Sequence, residues 1–142
     1  MNIDGVKSGI VLDHIKAGKS MIVYDYLKLS KLSCCVALIQ NCQSKKMGLK
    51  DIVKIDELID IDLDMLGYID PSITVNYVKD GQLIGKKHLA LPETLKNVIK
   101  CKNPRCITST EQELPHIFRL VDRENRIYRC IYCDAVGEAN TI

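Results

Sequence analysis

Four cysteines in the last third of the chain have the spacing of a metal site. Four residues separate Cys101 from Cys106, two separate Cys130 from Cys133, and twenty-three lie between the pairs. Two such short loops brought face to face form a tetrahedron of thiolates, which Zn²⁺ binds with Zn–S bonds of about 2.3 Å. Four protein ligands leave no open position, so the spacing predicts a structural zinc ion. An iron or iron–sulfur centre remains the alternative on ligand type alone.

The other three cysteines, Cys34, Cys35 and Cys42, lack this pairing. They fall in or near an apolar run that is typical of a buried strand, and we expect them to pack there as small hydrophobic side chains. The total of seven is odd, and the N-terminus does not resemble an export signal. These features disfavour a disulfide framework and predict a cytoplasmic protein.

A second set of chemistry-bearing residues lies on predicted strands in the first part of the chain: Asp13, His14, Lys50, Lys54 and Lys86. If they gather on one side of a sheet, an acid for ribose hydroxyls and lysines for phosphates would form a nucleotide site. The alternative is that each lysine lies on a solvated strand face. Gly18-Lys19-Ser20 resembles the end of a P-loop, but Asp13 stands where that motif needs glycine. The helix beginning there could still attract an anion.

The charged residues divide the chain into two parts. Residues 1–100 hold fourteen Lys and no Arg, whereas residues 101–142 hold one Lys and all five Arg. Pro92 interrupts regular structure shortly before the four late cysteines. We therefore predict one domain over residues 1–96 and another over 97–142. The second is so short that it needs a metal or a partner to fold.

Hydrophobic periodicity and turn residues predict the elements that position these side chains. They are a strand over 5–15, a helix over 21–29, a doubly buried strand over 34–39, a strand over 50–61, a helix capped by Asp62, and a hairpin over 72–89 that turns at Asp80-Gly81. This order predicts an α+β fold, a ferredoxin-like βαββαβ domain with an antiparallel sheet, two helices and one added strand. A small all-β zinc domain follows.

Five segments, in this order along the chain, together resemble the regulatory chain of aspartate carbamoyltransferase. They are Gly9-Ile10-Val11-Leu12-Asp13-His14-Ile15, the stretch from Met47 to Ile55, Thr74-Val75-Asn76 with Gly85-Lys86, Leu91-Pro92-Glu93, and the four-cysteine pattern. The resemblance implies a non-catalytic subunit of pyrimidine biosynthesis, with an allosteric domain that binds nucleoside triphosphates (CTP or UTP, and ATP). It also implies a homodimer of these chains and a zinc domain that contacts the catalytic chain.

Residue by residue, the resemblance implies that Asp13 binds the ribose, Lys54 contacts the ribose and base, and Lys86 holds phosphates. The remaining implied nucleotide contacts are His14 and Lys50 near the triphosphate, and Val6, Asn76 and Val78 in the base pocket. The implied zinc ligands are Cys101, Cys106, Cys130 and Cys133. The implied contacts with the catalytic chain are at Asn103, Arg105 and Asp134, of which Arg105 and Asp134 replace the residues that the family has there. Mg²⁺ would bridge the phosphates. Gly81 departs from the family, which commonly has an aromatic residue there.

Two other classes compete with this hypothesis. A zinc-ribbon module that binds nucleic acid or acts as a protein adaptor would fit the cysteines, but nucleic-acid binding calls for a basic surface. Residues 101–142 carry as many acidic as basic side chains. A free-standing enzyme lacks support because no catalytic constellation is visible. No uncharged run approaches the roughly 20 residues of a membrane span. We therefore expect neither nucleic acid nor membrane as a partner.

Overall fold

The computed structural model describes residues 7–137, in two compact units that divide between Ala90 and Leu91. The division falls six residues before the predicted boundary at 96/97. The reason is that Thr94–Lys96 forms a strand and pairs with a strand of the second unit. Val6, one of the predicted base-pocket residues, lies outside the described residues.

The first unit has the predicted ferredoxin-like order with one added strand. Its elements are β1 (Gly9–Lys16), α1 (Ser20–Tyr26), a 3-10 turn (Leu29–Lys31), β2 (Val36–Ser44), β3 (Gly48–Ile55), α2 (Leu63–Ile69), β4 (Thr74–Lys79) and β5 (Gln82–His88). The strands form one antiparallel sheet in the order β2-β3-β1-β4-β5. β5 is the addition, at the edge beside β4. The predicted fold class is confirmed.

The sheet has two apolar faces of unequal size, because side chains alternate along each strand. The larger cluster joins the strands to both helices and includes Ile10, Leu12, Val53, Val23 of α1 and Leu66 of α2. The smaller cluster is made of strand residues, with Val11, Ile52 and Val78 at its centre. We call the face that carries these three residues the distal face, since the helices pack on the other one.

Two predicted local features are confirmed. Asp62 caps α2, and its carboxylate accepts a hydrogen bond of 3.1 Å from the backbone N–H of Met65. Between β4 and β5, Asp80 and Gly81 have φ values of 52° and 76°. Positive φ at both central residues is the requirement of a type I′ turn, which joins two antiparallel strands with the correct twist.

Other predicted details are wrong. β3 ends at Ile55 and not near Ile61, and the following residues form a loop that leads to the α2 cap. β2 begins at Val36 and is an edge strand with alternating exposure, so the predicted doubly buried strand does not exist. Cys35 is consequently exposed, while Cys34 and Cys42 are half-buried. The reason is that apolar composition alone does not reveal that the helices cover only one face.

The second unit is a three-stranded antiparallel sheet with one short helix. It comprises β6 (Thr94–Lys96), α3 (Ile107–Thr110), β7 (Ile117–Asp122) and β8 (Ile127–Cys130), with strand order β6-β7-β8. Leu95 faces Phe118 across the β6–β7 pair, and both are buried. A Cβ at Gly137 would lie 2.8 Å from the Phe118 ring, so only glycine fits there. No helix among residues 7–137 is long and apolar enough to cross a membrane.

Candidate functional site

The four late cysteines converge in the second unit. Their Sγ atoms all lie within 4.8 Å of one another, with 3.6 Å between Cys101 and Cys133 and 3.8 Å between Cys106 and Cys130. A tetrahedron with Zn–S bonds of about 2.3 Å has edges of about 3.8 Å. The donor set and its dimensions therefore fit a tetrahedral metal ion bound by four thiolates.

The protonation of these thiols depends on their surroundings. The Thr108 hydroxyl donates a 3.1 Å hydrogen bond to Sγ of Cys106 and, with the Thr108 backbone N–H, lowers the pKa of Cys106 to about 7. Burial raises the pKa of Cys101 to about 12, and the neighbouring thiols act in the same direction. Four adjacent thiolates need a cation to coexist at neutral pH, so metal binding would release protons from the cluster.

Backbone hydrogen bonds hold both cysteine loops. In the first loop, the N–H of Cys106 donates to the carbonyl of Asn103 at 3.0 Å, and the N–H of Cys101 donates to Nδ1 of His116 at 3.0 Å. In the second loop, the N–H of Asp134 donates to the carbonyl of Cys130 at 2.9 Å. These hydrogen bonds fix the direction of the ligand side chains, so the loops do not depend on a large hydrophobic core.

In the first unit, three predicted nucleotide contacts form one cross-strand row. Lys54 of β3 is opposite Val11 of β1, Val11 is opposite Asn76 of β4, and Asn76 is opposite Lys86 of β5. Directly paired residues of an antiparallel sheet point to the same face. Lys54, Asn76 and Lys86 therefore share the distal face with Val11.

Asp13 and Lys50 form an ion pair on the same face. Nζ of Lys50 lies 2.9 Å from Oδ1 of Asp13, and the two side chains are 7% and 10% exposed, respectively. Burial would raise the pKa of Asp13, but the hydrogen bonds from Lys50 and from the backbone of His14, with the positive charge of Lys50, outweigh it and lower the pKa. Asp13 is therefore a carboxylate at neutral pH, able to accept hydrogen bonds.

His14 occupies a β-bulge beside this pair. Its φ is 58°, its backbone N–H donates to Oδ1 of Asp13 at 2.7 Å, and its Nδ1 lies 3.2 Å from Oγ1 of Thr74. Burial lowers the pKa of His14 and, together with the positive charges of the surrounding lysines, outweighs the opposite effect of Asp13. His14 is therefore a neutral imidazole at pH 7. The lysines that act on it are Lys50, Lys46 and Lys86.

The distal face thus brings together seven of the eight predicted nucleotide residues: Asp13, His14, Lys50, Lys54, Asn76, Val78 and Lys86. Val78 is fully buried in the apolar part of this face, and Lys86 is exposed. Sequence reasoning missed Thr74 and Lys46. Thr74 is two residues before Asn76 on the same strand, so strand periodicity would have placed it on this face.

The N-terminus of α1 already has an internal anion. The backbone N–H groups of Gly18 and Ser20 donate to Oδ2 of Asp51, at 3.0 and 3.2 Å. Asp51 has no exposed surface, and its pKa is lowered because hydrogen bonds from Ser20, Asn41 and Gly18 outweigh the effect of burial. Asp51 thus occupies the backbone donors with which this helix could have attracted an external anion.

The three predicted partner contacts differ in what they present to solvent. Asn103 is half-buried, and its side-chain oxygen accepts a hydrogen bond of 3.1 Å from the N–H of Arg105. The Arg105 side chain is exposed. Asp134 is also exposed and lies 3.4 Å from Nη2 of Arg119. Arg105 and Asp134 thus offer charges at the surface, whereas Asn103 shapes the first cysteine loop.

Comparison with known proteins gives consistent matches to both units. Residues 1–90 match the family model of the aspartate carbamoyltransferase regulatory chain, allosteric domain, and residues 93–142 match that of its metal binding domain. The chain is 49% identical to the aspartate carbamoyltransferase regulatory chain of Clostridium acetobutylicum over 136 residues, covering 96% of this chain and 93% of that one. Identity to the Clostridium botulinum chain is 49% over 142 residues, covering 100% and 97%. Identity to the Bifidobacterium longum chain is 44% over 134 residues, covering 94% and 96%.

Proposed function

Because the chain belongs to the aspartate carbamoyltransferase regulatory chain family, we propose that its first unit binds nucleoside triphosphates on the distal face and that its second binds zinc and docks on the catalytic chain. The predicted family is confirmed over nearly the whole chain. As a member of this family, the chain has the role of a regulatory, non-catalytic chain in pyrimidine biosynthesis and consists of an allosteric and a metal-binding domain.

The row of Lys54, Asn76 and Lys86 is the observation that carries the nucleotide proposal. The two lysines supply cations for phosphate oxygens, and the Asn76 amide can both donate to and accept from a base edge. The Asp13 carboxylate accepts hydrogen bonds from ribose hydroxyls, with Lys50 holding it in place. Val11 and Val78 provide an apolar floor. Mg²⁺ bound together with the nucleotide would neutralise part of the phosphate charge.

The proposed effectors are CTP, alone or together with UTP, as inhibitor and ATP as its opponent. A nucleotide shifts a quaternary equilibrium only if it binds the two states unequally. The allosteric units must therefore change their contacts with other chains between those states. In our proposal two regulatory chains pair through these units, and the resulting dimer links catalytic subunits.

Apolar side chains beside the cysteine ligands support docking of the second unit. Ile107 follows Cys106 and is 49% exposed, and Ile131 and Tyr132, between Cys130 and Cys133, are 45% and 39% exposed. Apolar side chains grouped at one end of a small unit are typical of a protein interface. With zinc bound by Cys101, Cys106, Cys130 and Cys133, this end becomes a rigid surface for the catalytic chain, to which Arg105 and Asp134 add charges.

Adjacent lysines of β5 provide a matched test of the nucleotide site. Lys86 is opposite Asn76 on the distal face, whereas Nζ of the next lysine, Lys87, lies 6.0 Å from the centre of the Tyr77 ring. We expect Lys86→Ala to weaken CTP binding to the zinc-loaded full chain by roughly 10- to 100-fold, the value of a hydrogen bond to a charged group. Lys87→Ala should leave affinity nearly unchanged in the same calorimetric titration. Equal effects of the two substitutions, or no CTP binding by the unaltered chain, would contradict the proposal.

A further inference from the structure

Asp51 is a buried carboxylate that contacts two separate parts of the first unit. Its Oδ2 accepts hydrogen bonds from the N–H groups of Gly18 and Ser20, and its Oδ1 accepts one of 3.0 Å from the N–H of Asn41. The residue has no exposed surface. Its contacts are the loop that begins α1, 31 to 33 positions earlier in the chain, and the neighbouring strand β2.

The bond to Asn41 holds an irregularity in β2. The β2–β3 register shifts between Ile39 and Cys42, which pair with Ile52 and Lys50, so two β2 residues face the single residue Asp51. Asn41 has a φ of 60°, in the left-handed region that asparagine tolerates better than most residues with a side chain. The Asp51 carboxylate compensates by accepting the Asn41 N–H, which would otherwise lack its ladder partner.

A second bulge lies on the other side of Asp51. The β1–β3 register shifts between Leu12 and Ile15, and Ile15 is opposite Asp51. This bulge contains Asp13 and His14. β3 is therefore flanked by bulges on both neighbouring strands, the β2 bulge opposite Asp51, next to Lys50, and the β1 bulge opposite Ile52. The directions of the Lys50 and Asp13 side chains depend on both bulges.

We propose that Asp51 is a positioning residue for the nucleotide site. From the helix-facing side of β3, it holds the Asn41 bulge and the Gly18–Ser20 loop. It thereby fixes the preceding residue, Lys50, on the distal face, where Lys50 pairs with Asp13. The inference rests on the proposed nucleotide function. Successive side chains of a strand point to opposite faces, so Asp51 itself does not reach the distal face. It acts through the backbone that it shares with Lys50.

The Asp51→Asn substitution removes one of the two sets of hydrogen bonds that Asp51 accepts. An amide has one acceptor oxygen and an NH₂ donor, so it cannot accept hydrogen bonds from both the Asn41 side and the Gly18–Ser20 side. In the zinc-loaded full chain, we expect CTP binding to weaken by about tenfold, the scale of coupling within one hydrogen-bond network. The pKa of Asp13, followed by the ¹³C shift of its carboxyl carbon, should rise because Lys50 is displaced from it.

The control is Asp62→Ala, which removes the cap of α2 and its bond to the Met65 N–H. It lowers stability to urea without touching β3, so it should leave both CTP affinity and the pKa of Asp13 unchanged. If Asp51→Asn does not fold, Ser20→Ala replaces it, because the Ser20 hydroxyl also donates to Asp51. We expect a smaller shift of the Asp13 pKa in the same direction.

The outcomes separate this inference from the proposal on which it rests. If the unaltered chain binds no CTP, the proposed function is wrong, while the ¹³C titration of Asp13 still tests the positioning role. If CTP binds but Asp51→Asn changes neither affinity nor the Asp13 pKa, the positioning role is wrong. It is equally wrong if Asp62→Ala produces the same changes for the same loss of stability.

Discussion

Nζ of Lys50 on β3 lies 2.9 Å from Oδ1 of Asp13 on β1, in a pair whose side chains are at most one-tenth exposed. A buried ion pair is a weak source of stability, because the cost of removing both charges from water offsets most of their attraction. Its presence is better explained by the proposed nucleotide site on the distal face, in which a fixed carboxylate and an adjacent cation would suit a ribose and a phosphate.

The pair predicts strong coupling between its members. Lys50→Met leaves the Asp13 carboxylate buried without a cation and should reduce the free energy of unfolding by about 3 kcal/mol at pH 7. Adding Asp13→Asn should recover part of that loss, because the uncompensated charge is removed. Urea denaturation of the two single variants and the double variant measures the coupling energy. Additive losses would show that the two side chains do not interact in solution.

Acid should destabilise the first unit through its buried carboxylates. Asp13 and Asp51 both have a pKa below the ordinary value of 3.8 in the folded chain. Their contribution to stability is complete above the unfolded pKa and is lost as the pH falls through the lower folded value. Urea midpoints measured from pH 7 down to about pH 3 should therefore fall steeply at the acid end. A shallower profile in Asp51→Asn than in the unaltered chain would agree, since Asp13 still titrates in that variant; identical profiles would not.

Removal of the metal should unfold the second unit selectively. The unit is too small to bury a sufficient core, so metal binding supplies much of its folding free energy. After treatment with a chelator, amide exchange in β7 and β8 should become fast while β1 and β3 stay protected. Cys130→Ser should reproduce this effect and abolish metal content, whereas Cys42→Ser, at a half-buried strand position, should not. Elemental analysis should give one zinc per chain; iron would instead support the alternative centre.

The β4–β5 turn should depend on the glycine at position 81. Gly81 has a φ of 76°, and an added Cβ would meet no atom within 4 Å, so the cost of a side chain there is conformational. Gly81→Ala should lower the free energy of unfolding by about 1 kcal/mol. Gly85→Ala is the control, since its Cβ would lie 3.5 Å from the Tyr77 ring, an ordinary contact. Thermal unfolding of both variants distinguishes backbone strain from crowding.

Local patterns predicted the parts of the site that local chemistry determines. The paired cysteines indicated a metal centre because each pair is a short chelating loop. The Asp80-Gly81 turn located the β4–β5 hairpin, and strand periodicity placed Lys50 and Lys54 on one face. The role of Asp62 as a helix cap was also readable, since the cap bonds to a residue three positions later.

Features that arise between distant segments could not be predicted in the same way. The bulges at His14 and Asn41 arise where two residues of β1 or of β2 lie opposite one residue of β3, and no residue type in the sequence indicates them. The hydrogen bonds of Asp51 join residues up to 33 positions away. The edge position of β2 follows from the strand order. The apolar run that contains Cys35 therefore could not reveal that this side chain is exposed.

Reconstitution with the catalytic subunit of the same organism tests the central proposal most directly. The zinc-loaded chain, mixed with purified catalytic trimer, should form a larger species in sedimentation velocity, and the metal-free chain should not. Aspartate saturation curves of that species should shift with CTP and shift in the opposite direction with ATP. The proposed function would be contradicted if no larger species forms in the presence of zinc. It would also be contradicted if the complex forms but its aspartate saturation curve does not change with either nucleotide.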